Sequence, residues 1–85
     1  MRVTKAEFFR WFVPGKRVRL VNCLMGPCDK PRTVSKVVGM RAEVLTDDGR
    51  TSHIRIGPDE HVEKTENGYR IVLTADGRVC AEYSV

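Results

Sequence analysis

After residue 15 the sequence alternates apolar and polar residues with a period of two, and no helical pattern interrupts it. In the first such stretch, Val18 and Leu20 face one way while Arg17 and Arg19 face the other. This spacing is typical of a strand with one buried face. Because no helix separates the strands, we expect an antiparallel sheet that runs mostly as a meander.

Turn signals mark the boundaries of the strands and recur about every 8 to 12 residues, the spacing of small barrels and sandwiches. Asp76-Gly77 is the strongest hairpin signal. Five strands are predicted, with Gly39 as a bulge or sharp bend in the second: 16–21, 34–45, 50–56, 68–73 and 79–83. Five such strands close best as a strongly bent barrel, because closure removes the sheet edges.

The second predicted strand and two loops complete the expected sheet. Alternation places Val38, Met40, Ala42 and Val44 on the inner face of that strand. Residues 25–32 hold two prolines and a glycine, which predicts a loop. The acidic residues 59–63 are interpreted as a second, solvated loop.

A short helix is predicted before the sheet. Thr4 and Glu7 form a capping box, in which each side chain accepts a hydrogen bond from the other residue's backbone N–H. The helix is expected over residues 5–12, since Pro14-Gly15 ends it. Its four aromatic residues are too many for one buried stripe, so Phe9 or Trp11 should be partly exposed. Trp11 either seals the edge of a thin core or contacts a ligand.

The 85 residues form a single domain, 1–85, because the chain is too short for two cores. Within it we expect the helix at about 5–12 and the barrel at about 16–84. The sequence has no apolar run that predicts a transmembrane helix and no signal peptide. We therefore expect a cytoplasmic protein that does not contact a membrane.

The residue types that carry catalysis or bind metals are sparse. Cys23, Cys28 and Cys80 are interpreted as reduced, mostly structural thiols. A zinc site would need His53 and His61 to complete the ligand set. Cys23 and Cys28 are also spaced more widely than the cysteines of a zinc knuckle. The paired carboxylates at 47–48 and 59–60 lie in turns, where water screens them. We expect no metal, no cofactor and no enzymatic activity.

The segment from Pro14 to Leu20, followed by a turn-rich loop and Thr33-Val34, resembles the opening of SH3-like small barrels such as KOW and Tudor-type modules. The resemblance covers residues 14–45 in pattern and the rest in strand count, and it implies the barrel fold. It implies no ligand, because the aromatic cage of Tudor modules is lacking. The size, the basic charge and the single capped helix also resemble small accessory proteins of phages and prophages.

Positive charge is concentrated in the first half of the chain. Residues 1–42 hold ten Lys/Arg and two acidic residues, whereas residues 43–85 hold five basic and nine acidic residues. Such asymmetry indicates an anionic partner for one surface. Trp11 is the candidate aromatic contact, and the candidate basic contacts are Arg10, Lys16, Arg17, Arg19, Lys30, Arg32, Lys36 and Arg41.

Two functions would use this basic surface. The first is a non-enzymatic protein-interaction module or inhibitor, of phage type, whose basic barrel face binds an acidic host or phage protein. The alternative is a nucleic-acid-binding barrel that contacts the phosphate backbone of DNA or RNA. Homo-oligomerisation would also cover surplus aromatic surface, and a structural virion subunit is a further alternative.

Overall fold

The computed structural model describes all 85 residues as an antiparallel sheet with one short helix. The elements are β1 (Arg2–Val3), α1 (Lys5–Trp11), β2 (Arg17–Cys23), β3 (Gly26–Val38), β4 (Arg41–Thr46), β5 (Thr51–Ile54), β6 (Glu60–Lys64), β7 (Gly68–Leu73) and β8 (Val79–Ser84). Two meanders, β2 to β5 and β6 to β8, are joined because β8 pairs with β2. The predicted fold class, mainly β with one helix, is confirmed. No helix here has the length and apolar character needed to cross a membrane.

The sheet has eight strands and is open, so the predicted five-stranded closed barrel is wrong. Its order is β1-β6-β7-β8-β2-β3-β4-β5, and the outer edges of β1 and β5 pair with no strand. Gly39 lies in the turn of a hairpin between β3 and β4 rather than in a bulge. Both predicted loops are also largely extended, since residues 26–32 belong to β3 and residues 60–64 form β6. The N-terminal β1 adds the eighth strand by pairing with β6.

The aromatic side chains of α1 complete the core of the open sheet. Phe8, Phe9 and Phe12 are all buried beside side chains from β2 to β8. Both meanders therefore pack on the same helix and share one core.

The alternation of apolar residues correctly predicts most of the inner face. Ala42 and Val44 are buried, as are the strand residues Val18, Val34, Ile54, Tyr69, Ile71 and Tyr83. Val62, in the predicted solvated loop, is also buried. The prediction is wrong for Val38 and Met40, which are 61% and 56% exposed. These two residues flank Gly39, whose φ of 59° turns the chain back on itself, so they lie at a hairpin tip.

The N-terminus of α1 forms as predicted, with one exception. The Glu7 backbone N–H donates to the Thr4 hydroxyl at 3.1 Å, which caps the helix. The carboxylate of Glu7 does not return to Thr4, because it accepts a hydrogen bond from the Tyr69 hydroxyl at 2.9 Å. Trp11 is half-buried, as expected for one of the four aromatic residues.

Glu63 makes β6 sensitive to acid. Its carboxylate lies 3.1 Å from His61 Nε2 and accepts from Arg70 Nε at 2.9 Å. The hydrogen bond with His61, and next the one from Arg70, hold the pKa of Glu63 below its usual value of 4.5. A carboxyl with a depressed folded pKa stabilises the fold above its unfolded pKa, and this stabilisation is lost as the pH falls through the folded pKa.

We therefore expect Glu63→Gln to lower Tm at neutral pH, with the difference from the wild type closing as the pH falls below about 4.5. Thermal unfolding followed by circular dichroism from neutral pH to about pH 3 measures this convergence. Glu66→Gln is the matched control, because Glu66 is exposed and forms no ion pair. A Tm difference for Glu63→Gln that persists unchanged into acid would contradict the assignment.

Candidate binding surfaces

The predicted basic face of β2 is exposed but internally neutralised. Arg17 Nη1 lies 3.0 Å from Asp47 Oδ1 and also donates to the Thr33 hydroxyl at 2.8 Å. Arg19 binds the Asp29 carboxylate through two hydrogen bonds, of which the one from Nε is 2.8 Å long. The bonded Arg19 guanidinium holds the pKa of Asp29 below its usual value. These arginines therefore have less charge to offer an external anion than the sequence predicts.

Lys30 and Arg32 line a neighbouring polar cleft of about 420 Å³. Besides Pro31 and Thr46, this cleft is lined by three carboxylates and three cations: Asp29, Lys30, Arg32, Asp47, Asp48 and Arg50. Arg32 is half-buried and donates to the Pro31 carbonyl at 2.9 Å. Because the charges of the two signs balance, the cleft is not a focus of positive potential.

Exposed apolar residues and unpaired arginines lie together where β3 turns into β4. Val38, Met40, Arg41 and Arg55 form what we call the hairpin-tip patch. Val38 pairs with Arg41 in the β3–β4 hairpin. Ala42 pairs with Ile54, the last residue of β5, so Arg55, which follows Ile54, lies close to Arg41, which precedes Ala42. Both arginines are exposed, and neither has a carboxylate within 4.0 Å. Exposed apolar groups and uncompensated positive charge thus meet beside the unpaired edge of β5.

Lys36 extends the positive charge of this region along β3. Its Nζ lies 3.9 Å from a Glu43 carboxylate oxygen, at the outer limit of an ion pair. The same carboxylate also faces His53 Nε2 at 3.5 Å. Glu43 therefore divides its charge between two neighbours, which leaves Lys36 only partly compensated.

The second concentration of unpaired cations surrounds the end of α1. We call it the helix corner, formed by Arg10, Trp11, Lys16, Lys64 and Tyr69. Lys16 Nζ lies 3.9 Å from the Trp11 ring centroid and donates to the Trp11 carbonyl at 3.0 Å. Lys64 Nζ lies 4.5 Å from the Tyr69 ring centroid. The two rings meet edge to face at 5.5 Å, so they hold two ammonium groups on one small surface.

The electrostatics of the helix corner reflect this crowding. Burial, and next the positive charge of Lys64, lower the pKa of Lys16. Burial, and next the hydrogen bond to Glu7, raise the pKa of Tyr69. Neither lysine forms an ion pair, and the Glu7 carboxylate is bonded to the Tyr69 hydroxyl. The corner therefore carries like charges without a matching carboxylate at either ammonium group.

The structure divides the predicted contact residues between separate places. Arg10, Trp11 and Lys16 lie in the helix corner and Arg41 in the hairpin-tip patch, whereas Arg17 and Arg19 are ion-paired. Sequence reasoning missed Arg55, Lys64 and Tyr69 as contacts. Lys64 lies opposite Tyr69 in the β6–β7 hairpin, a pairing that follows from the Asn67-Gly68 turn signal once residues 60–64 are taken as a strand.

Cys23 and Cys28 lie close enough to interact, but neither histidine joins them. His61 contacts Thr74 and Glu63, and His53 contacts Glu43, while the three cysteines are free thiols. No group of three or more His, Cys, Asp or Glu side chains is placed to hold a metal ion.

No protein-family model matches this chain, and no curated protein or solved structure is detectably similar to it. The SH3-like and phage-type resemblances therefore gain no family support, and what is shown is a small, antiparallel, mainly β domain. Two surfaces combine exposed cations with apolar or aromatic side chains: the hairpin-tip patch and the helix corner.

Proposed function

We propose that the protein is a small non-enzymatic interaction module that binds an acidic protein partner through the hairpin-tip patch. The observation that carries the proposal is the placement of exposed Val38 and Met40 beside Arg41 and Arg55, which have no carboxylate of their own. Protein interfaces combine an apolar centre with polar and charged surroundings, and Arg and Met are enriched in them. An acidic partner with apolar side chains complements both parts of the patch.

The free edge of β5 supports the same proposal. This strand pairs with β4 on one side only, so the backbone groups of its outer edge are available to a partner strand. Strand addition supplies backbone hydrogen bonds, while neighbouring side chains select the partner. The arginines of the patch favour an acidic strand there over a basic one.

The remaining expectations from the sequence belong to this proposal. They are the phage-type inhibitor role, the SH3-like character of the bent sheet, a host or phage protein as partner, and a cytoplasmic location. A second copy of the chain is the competing occupant of the patch, because it too would cover Val38 and Met40.

The test is affinity capture with immobilised protein, followed by titration of the purified captured protein. We expect an acidic protein that the wild type binds, and whose Kd rises about tenfold or more with Met40→Asp or with Arg41→Glu/Arg55→Glu. Met25→Asp is the matched apolar control, since Met25 is 97% exposed at the other hairpin of β3. Lys30→Glu/Arg78→Glu is the matched charge control, since both residues are exposed and unpaired.

Three results would overturn the proposal. One is a captured protein that all four variants bind equally well. Another is a wild-type dimer in sedimentation that Met40→Asp converts to a monomer, which would assign the patch to self-association. The third is capture of nucleic acid that depends on Arg41 and Arg55, which would favour the nucleic-acid alternative at this patch.

A further inference from the structure

The helix corner holds two ammonium groups that the fold leaves without a counterion. Lys16 and Lys64 each lie over an aromatic ring, at 3.9 and 4.5 Å from the ring centroids. Lys16 is restrained, because it also donates to the Trp11 carbonyl, whereas Lys64 is exposed and is held only by its contact with the Tyr69 ring across the hairpin. Restrained cations lose less conformational entropy when they bind an anion than freely moving ones do.

The charge of the corner extends beyond the two lysines. Arg10 follows on α1, exposed and without an ion pair. The Glu7 carboxylate also lies near, because it accepts from the Tyr69 hydroxyl at 2.9 Å. Burial lowers the pKa of Lys16 most, and the positive charge of Lys64 lowers it further, as expected for two neighbouring ammonium groups. An anion bound between them would relieve this repulsion.

The aromatic rings distinguish the ligand from a simple anion. Trp11 is only half-buried, and its ring meets the rings of Phe12 and Tyr69 edge to face, with Lys16 Nζ 3.9 Å from its centroid. Single-stranded nucleic acids present phosphates and unstacked bases in alternation, and proteins bind them with cations and aromatic side chains together. The bases of a duplex are stacked inside it, so a duplex would use only the cations.

We infer that the helix corner binds the phosphodiester backbone of a single-stranded nucleic acid, with Lys16 and Lys64 contacting a phosphate and Trp11 contacting an adjacent base. The site shares no residue with the hairpin-tip patch, so it stands independently of the proposed protein partner. It relocates the predicted nucleic-acid contact from the ion-paired face of β2 to the end of α1.

The test is fluorescence anisotropy of a labelled oligothymidylate of about 15 nucleotides, at about 50 and about 200 mM salt. We expect binding at the lower salt that weakens steeply at the higher salt. Lys16→Gln/Lys64→Gln should weaken binding about tenfold or more and reduce the salt slope by about 0.7, the value for one lost phosphate contact. Arg41→Gln/Arg55→Gln removes the same charge from the hairpin-tip patch and should leave Kd within about twofold.

Trp11 gives an independent readout, because it is the one tryptophan in the chain. We expect its fluorescence to be quenched in proportion to bound oligonucleotide. Lys16 donates to the Trp11 carbonyl at the end of α1, so its substitution can disturb the helix. The single variant Lys64→Gln leaves this hydrogen bond intact. It should weaken binding while its Tm matches that of the wild type.

Five outcomes would overturn the inference. The first is equal loss of binding in the two double variants, which would mean that the net charge of the protein alone attracts the oligonucleotide. The second is unchanged Trp11 emission at saturation. The third is displacement of the oligonucleotide by millimolar inorganic phosphate, which would mean a site for free phosphate. The fourth is equally tight binding of a duplex of the same length, which would mean that no base is contacted. The fifth is absence of binding at the lower salt, where phosphate contacts are strongest.

Discussion

Phe8→Ala is expected to lower the free energy of unfolding by about 3–5 kcal/mol, a large part of the total. Phe8 is fully buried, and its ring lies 5.0 Å from Phe9, 4.9 Å from Phe12 and 5.8 Å from Tyr69, between centroids. Truncating a buried phenylalanine to alanine costs about 3–5 kcal/mol, because apolar contacts are lost and a cavity remains. A domain of this size has a total stability of only about 4–13 kcal/mol, so the loss consumes much of it.

Urea unfolding followed by far-ultraviolet circular dichroism measures this effect. Phe8→Leu is the matched control, because it keeps an apolar side chain at the site and should cost less than about 1.5 kcal/mol. Met25→Ala, at a residue that is 97% exposed, should change the free energy of unfolding by less than about 0.5 kcal/mol. A loss below about 1 kcal/mol for Phe8→Ala would mean that α1 does not complete the core.

Gly68→Ala is expected to have an effect of similar size for a different physical reason. A Cβ at this position would lie 2.0 Å from the backbone carbonyl oxygen of Tyr83, a distance at which atoms overlap. The φ of Gly68 is not in the left-handed region, so the requirement for glycine comes from the close approach of β8 alone. The backbones of β7 and β8 would have to separate where Gly68 pairs with Ser84. We expect a loss of about 3 kcal/mol or more.

Gly57→Ala provides the control for Gly68→Ala. Its added Cβ would meet only the flexible end of the Glu60 side chain, at 3.1 Å, and its φ is likewise outside the left-handed region. We expect Gly57→Ala to cost less than about 1 kcal/mol. Equal Tm values for the two variants would show that β7 and β8 can move apart freely at Gly68.

Both substitutions also bear on the helix corner. Both residues adjoin Tyr69. The Phe8 ring packs against the Tyr69 ring, and Gly68 precedes Tyr69 in β7. Conditions in which Phe8→Leu remains folded therefore allow a further comparison. If Phe8→Leu weakens oligothymidylate binding while the hairpin-tip patch still binds its partner, then the packing of α1 positions the helix corner.

Local features of this protein could be predicted from the sequence because each depends on neighbouring residues. The Thr4 cap, the end of the helix before Pro14-Gly15 and the turn at Asp76-Gly77 are set by backbone geometry and short-range hydrogen bonds. The inner faces of β2 and β4 follow from the period of two. In β7 this pattern fails after Ile71, where a register shift buries Val72 and leaves Leu73 half-buried. The failure at Val38 and Met40 arises because alternation does not distinguish a bulge at Gly39 from a hairpin turn.

Only the tertiary structure decided how many strands form and where the free charge lies. Residues 60–64 have few residues that favour strands, and they form β6 because β1 and β7 pair with them on both sides. Arg17 is neutralised by Asp47, 30 residues away, through the register of β2, β3 and β4. Lys16 and Lys64 meet at the helix corner because Trp11 packs against Tyr69. Such pairings depend on long-range register and packing, which residue types and their spacing along the chain do not specify.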